Sequence, residues 1–304
     1  MARRIAIVTD EPGWHGKQLR LAFAARGCES RYVSLTRCHF DLAHARTPVV
    51  MPGYAPNLPD GVFVRGVPGG TLEQVILRLD ILHALRELGV PVYNDARAIE
   101  RSVDKAMTSF LLQHAGIPTP PTWVCESVSQ ARAILMRETA AGRELVLKPL
   151  FGSQGVGLRR LQNGMDLPDL AEYKGVAYLQ SFIDRGVGNW QDFRVLVING
   201  AARAAMVRRG ATWINNVAQG GTCEKVELDQ TLQKLAQDAV RAVGMDYAGV
   251  DLMRDRDGRL WVIEVNSIPA WRGLQGVCEF NLAQCLADDM LSRRLPQASM
   301  EMVC

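Results

Sequence analysis

The sequence predicts an α/β protein with a parallel sheet at its N-terminal end and a strand-and-hairpin region toward its C-terminal end. Three observations predict it. Short apolar strands alternate with amphipathic helices up to about residue 98. Glycines and N-cap residues punctuate those helices at their ends. From FRVLVING (193–200) onward, β-rich runs separated by turn residues dominate, broken by a single helical pattern.

Taken in order, RIAIVTD (4–10) reads as a first strand, and Gly16 to Arg26 as a helix closed by Gly27. GVFVRG ends a second strand at Arg65. TLEQVILRLDILHALRELG follows with apolar residues at Leu72, Val75, Ile76, Leu79, Leu82 and Leu85, the period of one helix face. Thr71 and Gln74 form a capping-box pattern and Gly89 stands where a C′ glycine belongs. VPVYN (90–94) is the next strand, and strand–helix–strand alternation indicates a parallel sheet covered by helices. A helix is expected over SVDKAMTSFLLQHAGIP (102–118), then strands at TWVCES and ELVLKPL around the helix SVSQARAILMRETAAG. VAYLQSFID is another strand. A last helix runs from Asp229 to Gly244 with Leu232, Leu235, Ala236, Ala239, Val240 and Val243 inward. The expected divisions are 1–98, 99–183 and 184–304.

Composition limits the function classes. The chain has 304 residues, 48% hydrophobic and 22% charged, with 35 basic against 32 acidic side chains and a net charge of +3. No block of like charge points to nucleic acid or an anionic membrane, and no apolar run reaches the length of a membrane span. The N-terminal apolar stretch, IAIV, is too short for a signal peptide. Seven cysteines without a CxxC spacing read as thiols of a reducing compartment, so cytoplasm is the expected location.

Two stretches carry chemistry. YAGVDLM (247–253) and RLWVIEVN (259–266) read as antiparallel strands, with Val262, Glu264 and Asn266 on one face. If Asp251 lies opposite Val262, it is a diagonal neighbour of Glu264, about 7–8 Å away along the backbone. Two carboxylates and an amide oxygen form a hard, oxygen-only set suited to Mg²⁺ or Mn²⁺ rather than zinc. The same residues read equally well as solvent-facing or paired with nearby arginines. FGSQGVG (151–157) offers free backbone N–H groups for phosphates, or is a plain turn. It matches neither a Walker loop nor a dinucleotide fingerprint. Lys148 sits among aliphatics on its strand, where burial needs an anion. Lys105 lies early on a helix, where it does little for the helix dipole. Arg194 and Arg209 are able to grip phosphate or carboxylate by two bonds.

The ordered set DK (104–105), KP (148–149), GSQGVG, LQSFID (179–184), QDFRVLV (191–197), NNVAQGG (215–221), AGVDLM (248–253) and IEVNSIP (263–269) resembles the ATP-grasp superfamily, and within it the RimK-like amino-acid ligases. AWRGLQ (270–275) is similar to the branch that ligates glutamate to tetrahydromethanopterin. The resemblance implies an ATP-grasp fold behind an α/β pre-ATP-grasp domain. It implies an ATP-dependent ligase that joins L-glutamate to a small-molecule carboxylate through an acylphosphate. It implies phosphate contacts from Lys105, Lys148, Gly152, Ser153, Gln154 and Gly155, and adenine contacts along Gln180, Ser181, Phe182 and Ile183. Asp251, Glu264 and Asn266 would hold Mg²⁺ or Mn²⁺, two ions in all. Arg194 and Arg209 would be catalytic, and Arg65, Asn216 and Arg272 would bind substrates. Trp14 and His15 fit a substrate-contacting loop, although His15 reads equally as a surface histidine. A homo-oligomer is expected. A peptide C-terminus, an amino-acid carrier protein or a catalytically silent ATP-binding regulator remain the alternatives.

Overall fold

The computed structural model describes residues 2–43, 48–152, 155–186, 188, 190–214 and 221–295. The chain divides into two compact units. One comprises Met1–Ile99, Met245–Tyr247 and Ile268–Cys304, the other Glu100–Gly244 and Ala248–Ser267.

The first unit is built on strands β1 (Arg4–Val8), β2 (Glu29–Val33), β5 (Gly61–Val64) and β6 (Val92–Tyr93), all parallel in the order β2-β1-β5-β6. A short antiparallel pair, β3 (His39–Phe40) and β4 (Val49–Val50), stands apart from it. Helices α1 (Gly13–Ala24), α2 (Leu72–Glu87) and α8 (Leu282–Arg294) complete the unit. Period-2 alternation sends Ala6 and Val8 to one face, where they pack with Ile81, Leu82 and Leu85 of α2. On the other face Phe63 meets Phe23 of α1 edge to face. Both faces are therefore covered, as a parallel sheet requires.

The capping box forms as the sequence predicts: Thr71 accepts from the Gln74 N–H, and Gln74 accepts from the Thr71 N–H at 3.1 Å. Gly89 takes a left-handed φ of 80°. The inward face differs. Leu72 and Ile76 are exposed, whereas Arg78, Ile81, Leu82 and Leu85 are buried. Only the second half of α2 meets the sheet, and a helical period cannot say which turns find a partner.

The second unit holds two antiparallel sheets. Strands β7 (Thr122–Cys125), β8 (Leu145–Lys148), β9 (Arg159–Leu161) and β10 (Ala177–Ser181) run in the order β7-β10-β8-β9. Helix α5 (Val128–Ala140) packs on one face of this sheet, where Ala131 and Leu135 meet Leu145, Leu147 and Leu179. The larger sheet is β13-β12-β11-β14-β15, from β11 (Gln191–Ile198), β12 (Ala201–Arg209), β13 (Thr222–Lys225), β14 (Tyr247–Arg254) and β15 (Leu260–Asn266). Helix α6 (Gln230–Val243) buries Leu232, Ala236, Ala239, Val240 and Val243, with Asp229 capping its start and Gly244 closing it in the left-handed region. Leu235 is only half-buried.

One helix expected over 102–118 is two. Helix α3 (Ala96–Val103) ends, and Asp104 caps α4 (Lys105–His114) by accepting from the N–H groups of Ala106 and Met107. A side chain that satisfies two free donors starts a new helix more readily than it continues an old one. Lys105 thereby becomes the first residue of α4. A short helix, α7 (Arg272–Gln275), precedes α8. Among the described residues no helix is long and apolar enough to cross a membrane.

Removing the Thr71 hydroxyl tests the capping account. Thr71→Ala should cost about 1 kcal/mol of unfolding free energy in urea titrations, and Thr71→Ser almost nothing.

Candidate nucleotide and metal site

In the second unit the charged residues of interest lie on β8 and α4 and, in the larger sheet, on β11, β12, β14 and β15. On β8, Leu145 and Leu147 face the α5 core, so alternation turns Lys148 the other way. Tyr178 on β10 stands opposite Lys148, and Gln180 opposite Val146. The Lys148 ammonium donates to Gln180 Oε1 at 2.6 Å. Gln180 in turn donates to the hydroxyls of Thr122 and Tyr178 at 3.0 and 3.1 Å. This network fixes the lysine without neutralising it. Burial lowers its pKa to about 8, against the through-space pull of Glu264 and with a further push from Lys105. Lys105 is also lowered, by burial first, and donates to the carbonyls of Leu150 and Gly152 at 3.3 and 2.7 Å. Two ammonium groups thus converge where the glycine-rich loop leaves β8.

Gly152 and Gly157 bracket that loop. Gly152 has φ of 139°, and Gly157 has φ of 75° with no room for a side chain, since a Cβ would lie 2.9 Å from Pro149 Cγ. Gly155 lies between them, also at positive φ. Ser153 and Gln154 lie outside the described residues, as does Asn216.

Beyond Gln180 the chain is already bonded in part. The Ser181 and Phe182 N–H groups donate to the carbonyls of Pro121 and Glu144, both at 2.8 Å. Those two N–H donors are therefore engaged within the fold. Strand-end pairing consumed them. Ser181 keeps a buried hydroxyl with no partner among the described residues, and Ile183 is half-buried. Phe182 is sandwiched differently: the Arg160 guanidinium lies 3.9 Å over its ring and Trp213 meets it edge to face.

On the larger sheet Asp251 stands directly opposite Glu264, not opposite Val262. A β-bulge between Asp251 and Leu252 moves the register by one, so Leu252 takes the place opposite Val262. Without the bulge the turn-side register would set Asp251 opposite Ile263; with it, Asp251 and Glu264 are direct cross-strand partners. Asn266 lies opposite Gly249 and its amide nitrogen donates to that carbonyl at 3.4 Å, and Oδ1 has no donor among the described residues. Glu264 makes no hydrogen bond or ion pair among the described residues. One carboxylate held by arginines, one carboxylate without a hydrogen-bond partner among the described residues and one amide oxygen thus share one strand pair. Among the described residues no three His, Cys, Asp or Glu side chains cluster as a metal site. The set is instead oxygen-only with a single amide, which suits a hard cation that also takes ligands from phosphate.

Asp251 is clamped. Arg194 on β11 forms a two-bond fork with it, Nε and Nη2 each at 2.6 Å from its oxygens. Arg208 on β12 reaches the same carboxylate at 3.0 Å and forks onto Asp192 at 2.6 and 3.0 Å. Burial opposes ionisation of Asp251, but Arg194 and Arg208 overcome it and hold the carboxyl below its usual range. Asp192 and Arg208 escaped the sequence reading. The signal was present in the alternation of QDFRV with RR across a hairpin, but the strand register was needed to use it. Arg209, expected beside Arg194, is turned by alternation to the opposite face. There it pairs with Glu224 at 3.0 Å and with Gln191.

In the first unit, Arg65 stacks over the Trp271 ring at 4.8 Å. Its Nε and Nη1 are buried without a partner among the described residues, as is the Trp271 indole nitrogen. Trp14 and His15 belong to the first turn of α1 rather than to a loop. His15 accepts from the Trp271 N–H at 3.1 Å, and burial with Arg65 and Arg272 pushes its pKa down to about 4. Arg272 is exposed at the start of α7.

A family model for the RimK-like ATP-grasp domain matches residues 102–290, which contain every one of the second-unit groups above. The chain belongs to that family. Two relatives named tetrahydromethanopterin:alpha-L-glutamate ligase are similar to this RimK-like chain. The one from Methanococcus maripaludis is 37% identical over 236 residues, covering 76% of this chain and 78% of the relative. The one from Methanocaldococcus jannaschii is 38% identical, covering 70% and 74%. The solved structure of the ATP-grasp ligase PsnB with a minimal precursor superposes with a TM-score of 0.73 at 20% identity, covering 96% of this chain and 99% of that one. PsnB has also been solved with Mg and ADP. The RimK-like chain is an ATP-dependent ligase with the ATP-grasp fold.

The neutral His15 has a consequence for stability. Its folded pKa lies below the unfolded value, so its contribution is fully present above about pH 6.5 and is lost as pH falls toward about 4. Wild type should lose melting temperature over that window faster than His15→Gln, and the two curves should run parallel above it.

Proposed function

We propose that this protein joins L-glutamate to a carboxylate acceptor at the expense of ATP, with a tetrahydromethanopterin-type pterin as the acceptor class. The observation that carries the reading is the identity of 37–38% over about three quarters of the chain with ligases named for that reaction. The cluster of Lys105, Lys148, Asp251, Glu264 and Asn266 supports it independently, because it is built for phosphate and a hard cation.

In this reading Lys105 and Lys148 neutralise the phosphates, and Gly152, Ser153, Gln154 and Gly155 are assigned to phosphate contacts. Gln180, Ser181, Phe182 and Ile183 lie along the base, with the unpartnered Ser181 hydroxyl as a polar contact. Asp251, Glu264 and Asn266 would hold the divalent ions, Mg²⁺ or Mn²⁺. When bound, such ions neutralise charge developing on the transferred phosphoryl group. The acceptor carboxylate attacks the γ-phosphorus, giving an acylphosphate and ADP. The glutamate amine then displaces phosphate and forms the amide. Arg194 is the guanidinium on this face suited to the phosphoryl oxygens, and Arg209, on the other face, is left without that role. Arg65, Arg272 and Asn216 are assigned to the substrates; the two unpartnered nitrogens of Arg65 suit a carboxylate. Positioning and charge neutralisation supply the rate, so no nucleophilic side chain is required.

The test incubates the protein with Mg-ATP and L-glutamate, with a reduced pterin carboxylate or with glutamate-ending peptides. Mass spectrometry should find one or more glutamyl residues added to the pterin, with ADP released and both lost in Glu264→Gln. Addition to peptides alone would replace the acceptor; no ADP release with either would remove the ligase reading. Lys148 adds a second expectation. Phosphate binding should raise its pKa from about 8, so Mg-ADP binding at about pH 8.5 should take up protons. Calorimetry in buffers of different ionisation enthalpy should report that uptake, and Lys148→Met should abolish it.

A further inference from the structure

Asp251 receives N–H groups from two arginines, but the two arginines are held differently. Arg208 is 4% exposed and is anchored by Asp192 through both arms of its fork, at 2.6 and 3.0 Å. Its Nη2 still reaches Asp251 Oδ2 at 3.0 Å, bridging from β12 across β11 to β14. Arg194 is somewhat more exposed, and Asp251 is its only acidic partner among the described residues. Its fork covers both oxygens of that carboxylate. The four side chains sum to zero charge, so none is buried uncompensated.

A cation approaching Asp251 meets an obstacle and a support. The obstacle is Arg194, whose two N–H groups occupy the lone pairs a metal would use and whose positive charge repels it. The support is Arg208, which cannot follow Arg194 away because Asp192 holds it. Losing Arg194 would leave the remaining three groups with one net negative charge, which an incoming divalent ion offsets.

We propose that Asp192 and Arg208 form a brace that positions Asp251 for a divalent cation, while Arg194 is the exchangeable partner that yields to it. Asp192 and Arg208 are positioning residues: they act through Asp251 and touch no reacting atom. The inference rests on the reading of Asp251, Glu264 and Asn266 as a cation site. It adds a division of labour among the arginines that the reading does not contain.

The experiment titrates Mn²⁺ at fixed ADP and reads the free ion from its six-line electron paramagnetic resonance signal. Metal-free ADP affinity and thermal melting are measured on the same samples. Asp192→Asn and Arg208→Lys should each weaken Mn²⁺ binding about tenfold, the scale typical of groups that orient a metal ligand. ADP affinity without metal should stay within about twofold, as the brace requires. Arg194→Gln should bind Mn²⁺ as tightly as wild type or more tightly, an asymmetry that a merely structural network would not produce. If Asp192→Asn does not fold, Arg208→Lys, which keeps the charge, carries the test alone. Mn²⁺ affinity unchanged in both brace variants, or lost equally in Arg194→Gln, would overturn the proposal while leaving the cation site in place. Mn²⁺ binding indifferent to Glu264→Gln would instead remove the cation site itself, and the brace with it.

Discussion

Four charged side chains share one buried face of the five-stranded sheet, and each is tolerable there only because of the others. An arginine or aspartate taken out of water costs several kcal/mol unless it is paired and hydrogen-bonded. Asp192, Arg194, Arg208 and Asp251 meet that condition through forks that span three neighbouring strands. Strand order is what makes this possible: β11 lies between β12 and β14, so a long guanidinium on β12 crosses a single strand to reach Asp251. The candidate site is thus a consequence of the order in which the strands pair.

The smaller sheet solves the same problem without a carboxylate partner. Lys148 donates to one neutral oxygen, Gln180 Oε1, and the hydroxyls of Thr122 and Tyr178 hold the Gln180 amide in turn. Such a network orients an ammonium while leaving its charge unspent, and burial then lowers its pKa toward neutrality. A phosphate brought to this lysine meets a cation that has no better partner. The two sheets therefore offer complementary halves of one chemistry, ammonium groups that no carboxylate hydrogen-bonds on one and carboxylate and amide oxygens on the other.

Much of this was legible in the sequence. Strands β1, β5 and β6 of the first unit, the capping box at Thr71, the Asp229 and Gly244 ends of α6 and the lysine facing away from the Leu145 and Leu147 core all follow from local pattern, whereas the largely polar β2 gave no strand signal. What was not legible depended on pairing between distant segments. Nothing in WVIEVN announces a bulge, yet the unpaired Ile263 is what sets Asp251 opposite Glu264. Arg208 and Arg209 are adjacent and chemically alike. Only the β11–β12 register says that the first faces Asp192 and the second faces Gln191. The Asp104 break between α3 and α4 was present in the sequence as an N-cap residue, but a continuous helical pattern concealed it. Leu72 and Ile76 show the opposite limit, a correct period whose first turns find no core to meet.

The measurement that bears most directly on the central claim is a crystal structure with Mg²⁺ and a non-hydrolysable ATP analogue. The account predicts metal within about 2.1 Å of oxygens from Asp251, Glu264 and Asn266, with the phosphates reaching Lys105 and Lys148. Nucleotide bound elsewhere, or metal held by the phosphates with no contact to those three side chains, would contradict it.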